Sequence, residues 1–235
     1  MNIITPELLT ECLKRSLVPV ADAVGNVGQS TVMIGGEWIK LWQMTNAVSV
    51  GQKAVKILKK RGITNKEQLR DITTKFGLLY VEGASVEDEP ELQELWAKLL
   101  VNALDPHFEG DIRVSFMSII KDLTSLDIKI LDIMNSEFLK YRKGTKIFDI
   151  YFSAKALSRM LSVSDFIIRA SIDNLKRCQL VENTQTRTTN ILQVARPIGR
   201  VITRNSNNDK MLVPPNPDHF VISALGCLFI DACIA

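Results

Sequence analysis

The stretch from Asp88 to Pro106 constrains the fold of this chain more than any other part of the sequence. Pro90 suits the first turn of a helix, where its missing N–H costs no hydrogen bond, and the acidic residues around it suit the positive end of the helix dipole. Asp105-Pro106 ends the pattern, because the residue before a proline avoids the helical conformation. We therefore predict a helix with a wide apolar stripe that faces a core. The residues of the stripe are Leu92, Leu95, Trp96, Leu99, Leu100, Ala103 and Leu104.

The rest of the N-terminal half also has helical periodicity. A short helix is predicted at 6–17, a longer one from Glu37 to the Lys59–Gly62 stop signal, an amphipathic piece at 65–80 and one more helix at 114–123. No strand is predicted before residue 124. The sequence therefore predicts a helical domain over residues 1–123.

Residues 17–36 form an apolar, glycine-rich segment with two interpretations. Closely packed short helices or loops are one. The other is a segment that packs against a membrane or a sister subunit, since 17–42 has about the length that spans a bilayer. Asp22 near its start and Glu37 near its end argue against a transmembrane helix, because a charge in the bilayer is costly.

The architecture changes after Thr124. A capping box is followed by a helix, then by a strand, two short helices joined by a tight turn, further strands and a closing helix. The predicted strands are at 146–153, 190–202 and 220–222, and a long loop is predicted at 203–219. Overall we predict a mainly α protein, in which residues 124–235 form an α+β winged helix-turn-helix-like domain with 203–219 as its wing loop.

Charge is distributed unevenly along the chain. The net charge is only +3, but residues 138–210 hold 14 basic and 5 acidic side chains, while residues 81–137 hold 4 and 13. Segments of opposite charge attract each other between subunits, so we predict a homo-oligomer.

The basic segment also makes nucleic acid a candidate partner. Cations on the second short helix and on the wing are candidates for contacts with phosphates. The candidates are Arg169, Lys176, Arg177, Arg187, Arg196 and Arg200. Asp165 and Asp173 in the same helix argue against DNA, because carboxylates repel the phosphate backbone. Winged helices also serve as protein-binding modules, and the two uses stay open.

No catalytic, cofactor-binding or metal-binding signature is found. The chain has no Gly-x-Ser-x-Gly and no phosphate loop, and His107 and His219 both lie beside turns rich in proline. The four cysteines have no CxxC spacing, and the acidic residues before Glu94 are explained by the helix dipole. We predict a protein that is not an enzyme, with no cofactor and no small-molecule substrate. Free thiols and the lack of a secretory signal at residues 1–16 favour the cytoplasm.

Four segments resemble the abortive infection alpha family of bacterial phage-defence proteins. The most specific is 82–106, EGASVEDEPELQELWAKLLVNALDP, with a small turn, an acidic entry, Leu-x-x-Leu-Trp-Ala-x-Leu-Leu and Asp-Pro. Arg61-Gly62-Ile63, KDLTSLD at 121–127 and the closing SALGCLFIDAC at 223–233 also fit. The resemblance implies anti-phage defence and supplies no catalytic residues to carry over.

Three functions are therefore open. The first is a defence protein without catalytic activity that self-associates and binds DNA or another defence or phage protein. A DNA-binding regulator and a membrane-acting effector that uses residues 17–42 are the alternatives.

Overall fold

A computed structural model of the protein describes Thr5 and residues 36–141, 151–183 and 218–234. Two compact units are present: Met1–Ile128 with Leu228–Ala235 form unit 1, and Lys129–Cys227 form unit 2. The predicted helix at 6–17, the strand at 190–202, nearly all of the 17–36 segment and all but the end of the 203–219 loop lie outside the described residues. The predicted domain boundary at residues 123 and 124 stays a prediction.

The described part of unit 1 is helical, as predicted. The amphipathic piece predicted at 65–80 is helical only in part. A 3-10 turn spans Lys66–Gln68, residues 69–73 are not helical, and a regular helix begins at Thr74. The helices are α1 (Gly36–Lys60), α2 (Thr74–Ala84), α3 (Pro90–Leu104), α4 (Ser115–Asp122) and α5 (Ser125–Tyr141), of which α5 continues into unit 2.

Helix α3 is the centre of unit 1, and its prediction is confirmed. Pro90 occupies the first turn, and every residue of the predicted apolar stripe is buried. Gln93, Val101 and Asn102 are buried as well, so the helix is covered on more sides than the stripe requires. A helix covered so widely is the core element against which the other helices pack.

Helix α1 ends at the predicted stop signal. Gly62 has φ +77°, the left-handed conformation that favours glycine, and the Ile63 N–H donates to the Leu58 carbonyl at 3.0 Å. Arg61 has a partner beyond the helix dipole. Its Nη1 donates to Asn102 Oδ1 at 2.7 Å and to Asp105 Oδ2 at 3.0 Å, which ties the end of α1 to the end of α3.

The capping box before α5 is also confirmed. The Thr124 N–H donates to Asp127 Oδ2 at 2.8 Å, and the Asp127 N–H donates to Thr124 Oγ1 at 3.3 Å. The Asp127 side chain is fully buried, so the hydrogen bonds from Thr124 satisfy a carboxyl group that water does not reach.

Unit 2 contains two short helices and a small antiparallel sheet. Besides the greater part of α5, its described elements are β1 (Phe152–Ser153), α6 (Ala154–Leu161), α7 (Asp165–Arg177), β2 (Val181–Asn183), β3 (His219–Ile222) and the start of α8 (Ala224–Cys233). The strand order is β1-β3-β2, with Phe152 opposite Phe220 and Val181 opposite Ile222. The sheet therefore brings together strands that are far apart in sequence.

Serine side chains cap the starts of α6, α7 and α8. Ser153 Oγ accepts from the Ala156 N–H at 3.3 Å, and Ser164 Oγ accepts from the Ile167 N–H at 3.4 Å. Ser162 turns the chain between α6 and α7 with φ +55°. Ser223 Oγ accepts from the Gly226 N–H at 2.9 Å at the start of α8.

Two predictions about the strands need correction. The predicted loop at 203–219 extends one residue too far, because His219 already pairs with Ser153 in the sheet. Strand β2 was not predicted, since three residues are too few for an alternating pattern.

The last turns of α8 pack in unit 1. The Phe116 and Phe229 rings meet edge to face at 5.5 Å, and Asn102 Nδ2 donates to the Ala232 carbonyl at 2.8 Å. Lys98 Nζ donates to the Ile234 carbonyl. The polar groups at the end of α8 are thus satisfied by side chains of α3.

Candidate interaction surface

Helix α7 presents one face to the core of unit 2 and one to solvent. Ile168, Ile172 and Leu175 are buried. On the other side Phe166 is 82% exposed and Ile167 is 49% exposed. Exposure of a single apolar residue is ordinary, but a phenyl ring exposed to this extent presents a large apolar surface to solvent.

The cations of α7 have polar partners within the protein. Arg169 Nε donates to Asp165 Oδ2 at 2.7 Å, and its Nη1 donates to Asp218 Oδ1 at 3.2 Å. These carboxylates, Asp165 above all, raise the pKa of the Arg169 guanidinium above its ordinary value. Lys176 Nζ lies 3.7 Å from Asp173 Oδ1. The positive charge of α7 is therefore largely balanced by neighbouring carboxylates.

The six predicted nucleic-acid residues divide into two groups. Arg169, Lys176 and Arg177 lie on α7, and Arg177 donates to Asn174 Oδ1 at 2.8 Å. The wing candidates, Arg187, Arg196 and Arg200, lie outside the described residues. Only six of the fourteen basic residues between 138 and 210 are in the described ranges. The structure thus places the described candidates on one helix together with their carboxylate neighbours.

Two residues of this surface were not identified from the sequence. Ile168, Ile172 and Leu175 follow one another at helical spacing, and Phe166 does not fit that spacing. This mismatch in the sequence indicates that Phe166 faces outward. Asp218 is 49 residues from Arg169 in sequence. No local pattern indicates such a pair.

A cleft of about 360 Å³ lies beside the end of α7 and the start of α8. Its lining is Lys176, Gln179, Val181, Glu182, Ser223, Ala224 and Leu225. The Ser223 hydroxyl donates to the Gln179 carbonyl and accepts from Gly226, so both its donor and its acceptor are used within the fold.

The acidic start of α3 is organised by hydrogen bonds within the protein. The Glu89 N–H donates to Glu87 Oε1 at 3.1 Å, and Gln93 Nε2 donates to the Glu87 carbonyl at 2.9 Å. Partial burial raises the pKa of Glu87. Within the described ranges, no group of three or more His, Cys, Asp or Glu side chains is arranged to hold a metal ion.

The histidines and cysteines of the described ranges have structural surroundings. The His107 N–H donates to Asp105 Oδ1 at 2.9 Å, and the His219 ring stacks on Tyr151 with centroids 4.6 Å apart. Cys178, Cys227 and Cys233 are not joined by disulfide bonds to one another, and burial raises the pKa of Cys233. A buried thiol with a raised pKa is a poor nucleophile.

None of the helices in the described part of the chain is both long enough and apolar enough to cross a membrane.

Comparison with known proteins relates most of the chain to one family. The search of curated proteins gave no match, and the search of solved structures gave none. The family model described as abortive infection alpha matches residues 45–233. This range covers well over half of the chain and includes the four segments that carried the resemblance. The chain belongs to the abortive infection alpha family.

Proposed function

We propose that this protein acts in abortive infection without catalysing a reaction, through contacts of unit 2 with protein. Membership of the family suggests defence against phage. The proposed partners are a second copy of the chain and another defence or phage protein, and the proposed site of action is the bacterial cytoplasm.

We interpret unit 2 as a winged helix-turn-helix-like module. The support is the element order: α6 and α7 are joined by a tight turn and followed by the β2 and β3 strands, while β1 completes a three-stranded antiparallel sheet. In such modules the second helix is the usual recognition element, which makes α7 the first surface to test.

The observation that carries the proposal is the exposed face of α7. Burial of the Phe166 ring against a partner removes apolar surface from water, which lowers the free energy of binding. The ring offers no hydrogen bond to a base edge. Arg169 lies between two carboxylates, and Asp165 and Asp173 would approach DNA phosphates as like charges. These features favour a protein partner over DNA at this helix.

Phage challenge tests the proposal. Cells that express the wild-type chain should reduce phage yield, and Phe166→Lys should restore the yield by placing a charge in the contact surface. Leu78→Lys is the matched control, because Leu78 is 46% exposed on α2 of unit 1. Wild-type expression that leaves phage yield and host survival unchanged across a broad phage panel would contradict the defence role.

A DNA-binding regulator is the second candidate. The observation in its favour is the charge of residues 138–210, most of whose cations are outside α7. A mobility-shift experiment at two salt concentrations decides it. A shift at about 50 mM salt that weakens steeply at higher salt would support phosphate contacts, and the absence of a shift at the lower concentration would exclude them.

A further inference from the structure

The solvent face of α7 carries a stripe with a symmetric spacing. Phe166, Ala170, Asp173 and Arg177 are all exposed, and they follow one another at intervals of four, three and four residues. With 3.6 residues per turn they lie within an arc of about 60° and extend about 16 Å along the helix. We refer to these four residues as the α7 stripe. Because the intervals read the same in both directions, an antiparallel copy brings Phe166 opposite Arg177 and Ala170 opposite Asp173.

We propose that a second copy of this chain docks on the α7 stripe, with the two α7 helices antiparallel across a two-fold axis. This inference rests on the proposed self-association and gives it a surface and a register. Each Phe166 ring meets the guanidinium and aliphatic stem of Arg177 from the second copy, which is a cation–π contact. Ala170, next to the axis, has a side chain small enough for the helix axes to approach closely.

The charges beside the stripe fit the same arrangement. Asp165 and Lys176 lie on one flank of α7, at opposite ends of the helix. In an antiparallel pair, the same flank of each helix faces its counterpart in the other copy. The position directly opposite Asp165 is therefore about two residues from Lys176 of the second copy, and the long lysine side chain reaches the carboxylate. A parallel pair would instead place Arg177 against Arg177. The separation of 3.7 Å between Lys176 and Asp173 is long for an ion pair, so exchange of partners costs little.

Light scattering on the purified full chain tests the proposal. The wild type is expected at twice the monomer mass of 26.3 kDa at micromolar concentration. Phe166→Lys places a lysine opposite Arg177 at two symmetric positions, and the dissociation constant of the dimer should rise at least about 100-fold. Leu78→Lys should leave the mass unchanged.

A charge-swap rescue identifies the register. In the double variant Phe166→Lys with Arg177→Glu, the introduced lysine faces the introduced glutamate of the second copy, and dimer mass should return. Within one chain the two positions are about 16 Å apart and do not contact each other, so rescue reports contact between copies. Far-UV circular dichroism of each variant checks that helix content is unchanged.

Several outcomes would overturn the proposal. A monomeric wild type in the high micromolar range would do so, as would a Phe166→Lys variant that stays dimeric or a double variant that stays monomeric. The proposed function fails separately, in the phage challenge. Loss of protection by Phe166→Lys without any change of mass would overturn self-pairing and point to a different protein on the same surface.

Discussion

Gly83 in α2 has no space for a side chain. A Cβ at this position would lie 2.3 Å from Cη2 and 2.6 Å from Cζ2 of the Trp96 indole. Trp96 is fully buried, its ring meets Tyr80 edge to face at 5.4 Å, and the Tyr80 hydroxyl donates to the Trp96 carbonyl at 3.0 Å. The indole therefore has little freedom to move aside. Lys121 Cε, at 2.8 Å, belongs to a flexible side chain and yields more easily.

Gly83→Ala changes the free energy of unfolding through two effects of opposite sign. Helix propensity favours alanine by about 1 kcal/mol. Overpacking a rigid core costs about 1–3 kcal/mol, and the contact with Trp96 is close enough for the upper part of that range. We expect a net loss of about 1–2 kcal/mol, which lowers the urea midpoint by about 0.5–1 M. Urea unfolding followed by circular dichroism measures it, and a variant more stable than the wild type would refute the reasoning.

A double-mutant cycle isolates the Trp96 contact. Trp96→Phe removes the ring atoms that a Cβ on residue 83 would meet, at the cost of a cavity. In this background Gly83→Ala should be neutral or stabilising, which corresponds to a coupling of about 1–2 kcal/mol between the two positions. Strictly additive costs would show that the strain has another origin.

Three further predictions concern hydrogen bonds and pH. Asn102→Ala should cost about 2 kcal/mol in urea unfolding, because the Ala232 carbonyl at the end of α8 loses its donor. Ser164→Ala should lower the thermal unfolding temperature by the loss of a helix cap of about 0.5–1 kcal/mol. The raised pKa of Glu87 means that the folded state favours its protonated form, so stability falls as pH rises through the raised pKa. Glu87→Gln should be more stable than wild type at pH 7, and this gain should disappear near about pH 4; an equal gain at both pH values would contradict it.

Local signals predicted most of the described helices. Pro90 at a helix start, Gly62 at a helix end and the Thr124 capping box each act within a few residues, so the sequence contains the whole cause. The α3 stripe also predicted a buried face, because a 3.6-residue period shows which side of a helix avoids water.

Which distant residues these helices contact depended on the tertiary structure. Asn102 reaches Ala232, 130 residues away, and Arg169 reaches Asp218, 49 residues away. Strand β2 was missed because three residues form a strand only when β3 is beside them to complete the hydrogen bonds.

The candidate surface on α7 also depended in part on the tertiary structure. Composition identified a basic segment, and from the sequence alone its cations on α7 were candidates for DNA contacts. Asp165 and Asp173 already lie near these cations in the sequence, and folding adds Asp218 beside Arg169 from 49 residues away. By itself the sequence determined the helices, their caps and the family. Only the tertiary structure decided that Asp218 pairs with Arg169 and that no other described segment covers the Phe166 ring, because both depend on which distant segments the fold brings to α7.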